Sequence, residues 1–174
     1  MPTHLAFLRA INLGATRKFP KDAIRKACED AGFTDVETHI NTGNVRVTSS
    51  LRSRAKVEAT LEKAFREAAG FEVPTIVFTQ AEFAQIGADA EELHSDDLAR
   101  HYVLLLKESP KDVAAVEAVS TDEHRAVVRN RACHLLLGDG VQAGSVDPLR
   151  VERLIGVATN RNYNVVTTLA GKWC

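Results

Sequence analysis

The chain has 174 residues, of which 45% are hydrophobic and 26% are charged. These proportions are typical of a globular protein, and the length suits one domain or two small halves of about 80 residues. A formal net charge of −1 gives no global electrostatic reason for binding nucleic acid or an anionic membrane.

The first elements alternate short apolar strands with amphipathic helices. The apolar run from Leu5 to Ile11 is too short for a helix and predicts a strand. A helix is predicted to start at Pro20, which suits a first helical position, and to end just before Gly32. Two half-buried strands follow, at residues 36–40 and 45–47, joined at the step Thr42-Gly43.

The next elements complete a known topology. Residues 57–68 carry one apolar stripe and predict a long helix that ends before Gly70, and residues 73–78 predict a strand. Thr79-x-x-Glu82 is a capping box that opens a short helix. The order is then β-α-β-β-α-β, the ferredoxin-like arrangement.

A second half begins near residue 100. Strands are predicted at residues 101–107, 124–129 and 132–137, with helices that start at Ser109-Pro110 and at Asp147-Pro148. We therefore predict an α+β fold of two ferredoxin-like halves, the second cut short, packed together with a C-terminal helix. The predicted limits are 1–87 for the first half, 88–99 for an acidic linker, and 100–174 for the second half with that helix.

Two polar groups in the first half are predicted to converge. In this topology the loop after strand one and the hairpin between strands two and three lie at the same end of the sheet. The first group is Arg9 and Asn12, at the loop, and the second is Asn41, Gly43 and Asn44, at the hairpin. The alternative is that these amides only bond the backbone of a turn.

The C-terminal region has a third polar group. Tyr163, Val166, Leu169 and Trp173 recur at helical spacing, so we predict a helix capped by Thr159 or Asn160. An arginine beside free N–H groups at a helix N-terminus is suited to an anion. The candidate residues here are Thr159, Arg161, Asn162 and Asn164.

Three segments resemble the family called domain of unknown function 1697. They read Leu8-Arg-Ala-Ile-Asn-Leu-Gly14, His39-Ile-Asn-Thr-Gly-Asn-Val45 and Thr159-Asn-Arg-Asn-Tyr-Asn-Val-Val166. Ala10, Thr42 and Tyr163 stand where the family pattern has glycine, serine and tryptophan. The resemblance implies an α+β fold of two related halves and no established activity.

Other classes of site find little support in the sequence. Three dispersed cysteines without a C-x-x-C pair argue against disulfides and structural zinc, and we read the stretch with His94, Asp96, Asp97 and His101 as a solvated linker. We predict no metal and no cofactor. The N-terminus has no basic segment of a signal peptide, and no apolar run approaches the ~20 residues of a membrane span. We therefore expect a soluble, cytoplasmic protein without a membrane partner.

Three functions remain open from the sequence. The first is binding of a small anionic ligand, such as a nucleotide or a phosphate metabolite, at the arginine and asparagine groups. The second, less favoured, is nucleic-acid binding through local basic clusters at residues 9–26 and 125–131. The third is an enzyme acting on a phosphate-bearing substrate. The sequence leaves open whether the protein is an enzyme and what its oligomeric state is.

Overall fold

The computed structural model describes residues 1–139 and 153–174. These residues form two compact units, Met1–Phe83 with Trp173, and Ala84–Lys172 with Cys174. The first unit contains β1 (Thr3–Leu8), α1 (Lys21–Asp30), β2 (Thr34–His39), β3 (Asn44–Thr48), α2 (Arg54–Ala69) and β4 (Thr75–Thr79). Helix α3 (Gln80–Leu93) follows directly.

The second unit contains the remaining strands and helices. They are β5 (Arg100–Leu106), α4 (Val113–Glu117), β6 (His124–Arg129), β7 (Ala132–Leu137), β8 (Ala158–Asn162) and α5 (Tyr163–Trp173). Residues 153–155 are also helical. The helix predicted to start at Asp147-Pro148 lies outside the described residues.

Each unit is built on a four-stranded antiparallel sheet. The strand orders are β2-β3-β1-β4 and β6-β7-β5-β8, so corresponding strands occupy corresponding places in the two sheets. This arrangement confirms the predicted α+β fold of two similar halves. It also places β1 beside β3, with Phe7 opposite Asn44 at the end of the pair.

The first sheet is buried on both faces. Ala6 and Leu8 pack with Val45 and Val47 in a core that α1 and α2 cover. Successive residues of a strand point to opposite faces, and Phe7, on the other face, stacks on Phe83 with ring centroids 5.0 Å apart. Residues from Leu5 to Leu8 are at most 1% exposed. Apolar residues in succession thus indicated a strand enclosed on both sides.

The capping signals at Thr79 and Gly70 behave as the sequence predicts, whereas α4 is capped by Asp112 and does not start at Ser109-Pro110 as expected. The backbone N–H of Thr79 donates to Glu82 Oε2 at 2.8 Å, and the N–H of Glu82 donates to Thr79 Oγ1 at 3.1 Å. This reciprocal pair is a complete capping box. Gly70 ends α2 in the left-handed region, with φ 81°.

Two features of the second half differ from the predictions. It is not cut short in strands, since β8 completes its sheet by pairing with β5. The sequence did not predict β8 as a strand, because its residues are polar and its partner strand β5 lies more than fifty residues earlier in the chain. Residues 88–93, expected in the linker, belong to α3. No helix in the described ranges combines the length and apolar character needed to cross a membrane.

Candidate functional site

Asn12 joins the loop after β1 to the β2–β3 hairpin. Its side-chain amide donates to the carbonyl of Asn41 at 2.8 Å and to that of Phe19 at 3.1 Å. Its Oδ1 accepts the backbone N–H of Phe19 at 2.8 Å. The predicted convergence of these two segments in the first unit is therefore present. The Asn12 amide itself is used to hold the backbone.

The hairpin amide at Asn44 is also structural. Asn44 is buried, and its Nδ2 donates to the carbonyl of His39 at 3.0 Å and to Thr42 Oγ1 at 2.8 Å. The carbonyl of Gly43 accepts the N–H of Leu8 at 2.9 Å. Asn44 therefore closes the turn from inside, and the turn is bonded to the end of β1.

Gly43 is required by both conformation and space. Its φ is 81°, and a Cβ atom there would lie 2.8 Å from Leu8 Cβ and 3.0 Å from Ile11 Cδ1. A side chain would collide with the strand that the turn contacts. The glycine thus allows the hairpin and the loop after β1 to approach closely.

The loop from Arg9 to Pro20 is held in an unusual backbone conformation. Left-handed φ values occur at Ala10, Asn12, Gly14 and Arg17. The side chain of Arg17 donates from Nε to the carbonyl of Ala10 and from Nη2 to that of Glu72 at 2.7 Å. Its guanidinium also lies 4.4 Å from the centre of the Phe71 ring. This arginine positions the loop while keeping its positive charge.

The same loop and the start of α1 carry a group of cations, which we call the α1 basic group: Arg17, Lys18, Lys21 and Arg25. Within residues 1–139 and 153–174, none of the four forms an ion pair with a carboxylate. By contrast, Lys26 Nζ lies 2.6 Å from Asp30 Oδ2, and this hydrogen bond raises the pKa of Lys26. Pro20 provides no side-chain cap for α1.

Arg9 lies at the base of this loop. Its side chain is half-buried, and its backbone N–H donates to the carbonyl of Pro74 at 2.9 Å. Arg9 is therefore close to the α1 basic group in the sequence, and it belongs to the same unit. Positive charge around a strand-to-helix connection is the setting in which helix N-termini bind anions.

The C-terminal polar group belongs to the second unit. Arg161 lies in β8 and is 7% exposed; its Nη1 donates to Thr159 Oγ1 at 2.8 Å and to the carbonyl of Asn160 at 2.9 Å. Burial lowers the pKa of this guanidinium to about 10. Asn164 is exposed.

The predicted cap of the C-terminal helix was wrong. Thr159 and Asn160 lie within β8, and the cap is Asn162, whose Oδ1 accepts the N–H of Val165 at 2.9 Å. The strand continues to Asn162 because it pairs with β5 up to Tyr102. This pairing outweighs the local capping signals of Thr159 and Asn160.

The second basic cluster is partly neutralised. Arg129 Nη1 lies 3.1 Å from Glu92 Oε2 and 3.5 Å from Asp89 Oδ1, and the bond to Glu92 raises the pKa of Arg129. Arg131 is 9% exposed. Arg129 is thus paired with carboxylates and Arg131 is buried, whereas Arg125 of the same cluster is exposed.

A group of histidines was missed by the sequence analysis. His94, His101 and His134 come together with Tyr163 in the second unit, and His94 Nδ1 lies 3.2 Å from His101 Nδ1. The sequence does contain a signal that two of them are buried, because His101 and His134 each lie in an otherwise apolar strand. No cluster in the described part of the chain meets the geometry of a metal site with three or more His, Cys, Asp or Glu ligands.

Comparisons with known proteins give a family and a fold. The sequence profile of the family described as "Protein of unknown function (DUF1697)" matches residues 1–134. The structure is similar to that of the conserved bacterial protein SP0830 from Streptococcus pneumoniae, with a TM-score of 0.80 and 22% identity over 99% of this chain and 98% of that chain. At this identity the likeness shows the fold alone. No curated protein sequence matches significantly.

Proposed function

We propose that this chain, which belongs to the DUF1697 family of proteins of unknown function, binds a small anionic ligand at the loop joining β1 to α1. The ligand class is a nucleotide or a phosphate metabolite. The α1 basic group carries the proposal, because its four cations follow one another along the braced loop and the start of α1, and none of them forms an ion pair with a carboxylate within the described ranges.

The spacing of these cations supports a shared ligand. Lys18, Lys21 and Arg25 are exposed and lie at i, i+3 and i+7, which places Lys21 and Arg25 on one face of α1. The first N–H groups of a helix add a partial positive charge at the same end. A phosphate group provides several acceptor oxygens and so can bond to more than one of these donors.

The hydrogen bonds that fix the loop backbone favour a ligand-binding role for the loop over a loop that only contacts solvent. The Asn12 hydrogen bonds and the Arg17 contacts hold the backbone before any ligand arrives. A pre-formed loop loses less conformational entropy on binding than a flexible one. The predicted group of Arg9, Asn12, Asn41, Gly43 and Asn44 thus supplies mainly the scaffold of the proposed site, with Arg9 adding charge.

The C-terminal group, Thr159, Arg161, Asn162 and Asn164, is proposed as a second anion-binding group in its own unit. Burial destabilises the charged form of Arg161. An anion beside the guanidinium would offset part of that cost. Arg161→Ala is the variant that tests it.

A thermal-shift and calorimetric titration tests the main site. The probes are ATP, inorganic phosphate, and single-stranded RNA and DNA oligonucleotides. ATP is expected to raise the melting temperature saturably, because a ligand that binds only the native state stabilises it. The double variant Lys18→Ala/Lys21→Ala should weaken the affinity about tenfold, a loss of roughly 1.4 kcal/mol.

The matched control is Lys63→Ala, which removes an exposed helical lysine of the same unit. It should leave the affinity unchanged. If the oligonucleotides bind more tightly than ATP and their affinity falls steeply with salt, the protein is a nucleic-acid-binding module instead. If Lys63→Ala weakens the affinity as much as the double variant does, a localised site is refuted.

We also propose a cytoplasmic location. All three cysteines are free, and Cys28 and Cys133 are buried with thiol pKa values raised to about 12 by burial. Unpaired thiols accord with a reducing compartment. Fractionation of cells that express the full chain is the direct test.

A further inference from the structure

The first unit exposes two large apolar side chains on neighbouring loops. Leu13, in the loop after β1, is 55% exposed, and Ile40, in the turn between β2 and β3, is 45% exposed. The structure describes all of residues 1–83, and the other exposed large hydrophobic residue among them is Met1. A single exposed apolar residue is common on protein surfaces, whereas apolar residues gathered beside polar groups are typical of a ligand site.

The side chain of Asn12 joins the two loops that carry this apolar pair. Its Nδ2 donates to the carbonyl of Asn41 at 2.8 Å. Leu13 follows Asn12 in the chain, and Ile40 precedes Asn41. Both apolar residues are therefore direct neighbours of the same hydrogen bond.

The same amide connects the apolar pair to the α1 basic group. Asn12 Nδ2 also donates to the carbonyl of Phe19 at 3.1 Å. Phe19 follows Lys18 directly, and α1 begins two residues later at Lys21. Both lysines are exposed. Segments that bond to one side chain thus carry the apolar pair and the first cations of α1.

Ile40 has an unfavourable backbone conformation. Its φ is 50°, in the left-handed region that β-branched residues rarely adopt because their side chain crowds the backbone. Glycine or asparagine would fit this position of the turn with less strain. An isoleucine that is both strained and exposed adds nothing to the hairpin or the core, and strained residues cluster at binding sites.

Asn41 carries an amide that the fold does not use. Its side chain is exposed and forms no hydrogen bond within residues 1–139 and 153–174. By contrast, Asn12 and Asn44 bond to backbone carbonyls through theirs. An asparagine amide has a donor beside an acceptor and can form two hydrogen bonds with the N6 and N7 edge of adenine, where guanine presents two acceptors.

We propose that the ligand of the α1 basic group is an adenine nucleotide whose base lies against Leu13 and Ile40. The Asn41 amide bonds to the edge of the base, and Lys18 and Lys21 bind the phosphates. The inference rests on the anion site proposed above and names the group that the anion carries. Bases pack between apolar side chains and are recognised at their polar edge. A phosphate metabolite without a base would leave both apolar residues in water.

Calorimetric titration of the full chain with ATP, GTP and inorganic tripolyphosphate, without added metal, tests the role of the base. A site that recognises only phosphate groups binds all three probes alike. ATP is expected to bind about tenfold more tightly than tripolyphosphate, and more tightly than GTP. Equal affinities for ATP and tripolyphosphate, or for ATP and GTP, would overturn the inference and leave the anion site in place. If no probe binds, the anion site itself is refuted.

Two variants locate the base. Asn41→Ala should remove the preference for ATP over GTP. Ile40→Gly should weaken ATP binding about tenfold, and the hairpin should stay folded because glycine accepts a φ of 50°. Neither substitution should change the affinity for tripolyphosphate. If both variants bind ATP as the unmodified chain does, or if both lose tripolyphosphate equally, the base does not lie at this turn.

Two further variants are the controls. Lys18→Ala/Lys21→Ala should weaken all three probes alike, because it removes phosphate contacts only. Val113→Ala trims an exposed valine of the second unit, which is 39% exposed, and should change none of the affinities. A loss of ATP affinity in Val113→Ala that matches the loss in Ile40→Gly would contradict a base site at Ile40.

Discussion

Gly87 and Ala170 meet where α3 and α5 pack together. A Cβ atom built at Gly87 would lie only 2.5 Å from Ala170 Cβ, a separation that two carbon atoms do not reach without displacement of a helix. Alanine has no flexible end that could move aside. Close approach of the two backbones therefore depends on the missing side chain of Gly87.

Gly87→Ala is expected to destabilise the protein. The overlap should cost about 1–3 kcal/mol, more than the ~1 kcal/mol that alanine gains over glycine inside a helix. Urea denaturation measures the difference. Gly171→Ala is the control, since a Cβ at Gly171 meets nothing within 4 Å and should be neutral or stabilising. Equal effects of the two substitutions would contradict the close packing.

Asn12→Ala should destabilise the first unit by about 3 kcal/mol or more. The change removes three hydrogen bonds to backbone groups, each with a net contribution of about 1 kcal/mol, and leaves alanine at φ 54°. Asn12→Gly separates the two causes, because glycine accepts that φ. Asn41→Ala leaves the accepting carbonyl in place and should change the free energy of unfolding little. A large loss in Asn41→Ala would mean that its amide also holds the loop.

Ala10→Gly should stabilise the protein by about 0.5–1 kcal/mol. Ala10 has φ 57°, a left-handed conformation that costs L-residues roughly 1–2 kcal/mol, and glycine removes this cost while adding some entropy to the unfolded chain. Ala15→Gly, in the same loop without a positive φ, should lower stability slightly. Thermal unfolding of both variants measures the difference, and a destabilised Ala10→Gly would show that the strain lies elsewhere.

Stability should fall as the pH decreases from about 6.5 to about 4. The folded pKa values of His101 and His134 are about 4, below the unfolded value of 6.5. The unfolded chain therefore binds more protons in this window, so the free energy of unfolding decreases as pH falls and is constant above it. Burial also lowers the pKa of His4, in the same direction.

The size of this effect is set by the two shifts. At about 1.4 kcal/mol per pKa unit, the loss between pH 7 and pH 4 should be on the order of 3 kcal/mol or more. Urea denaturation across this range measures it, with His101→Phe expected to reduce the dependence. His124→Gln, which changes a half-buried histidine away from His101 and His134, should retain it. A free energy of unfolding that does not change between pH 7 and pH 4 would contradict the burial of neutral imidazoles.

Local signals in the sequence predicted most of the fold. The capping box of Thr79 and Glu82 and the glycine end of α2 at Gly70 were predictable because each involves residues only a few positions apart. The bounds of β6 and β7 also match the predicted strands. The order of these elements was enough to bring Asn12 to the hairpin, because sheet topology determines which loops share an end.

The role of each polar group depended on tertiary contacts. The sequence by itself determined that asparagines and arginines gather at a loop, a hairpin and the C-terminus. Only the tertiary structure showed that Asn12 and Asn44 bond to backbone, and that Arg161 lies in a strand. An asparagine or arginine side chain has the same donors and acceptors whether it faces a ligand or a backbone carbonyl. Its role therefore depends on which atoms lie within about 3 Å of those groups.

The group of His94, His101 and His134 illustrates the same limit most clearly. His94, His101 and His134 are separated by seven and thirty-three residues along the chain, and no short motif connects them. The sequence determined that two of them would be buried, since each lies among apolar residues of a strand. Their alignment came from the register of β5 with β7 and from the stacking of Tyr163, which are contacts between distant segments that local patterns do not encode.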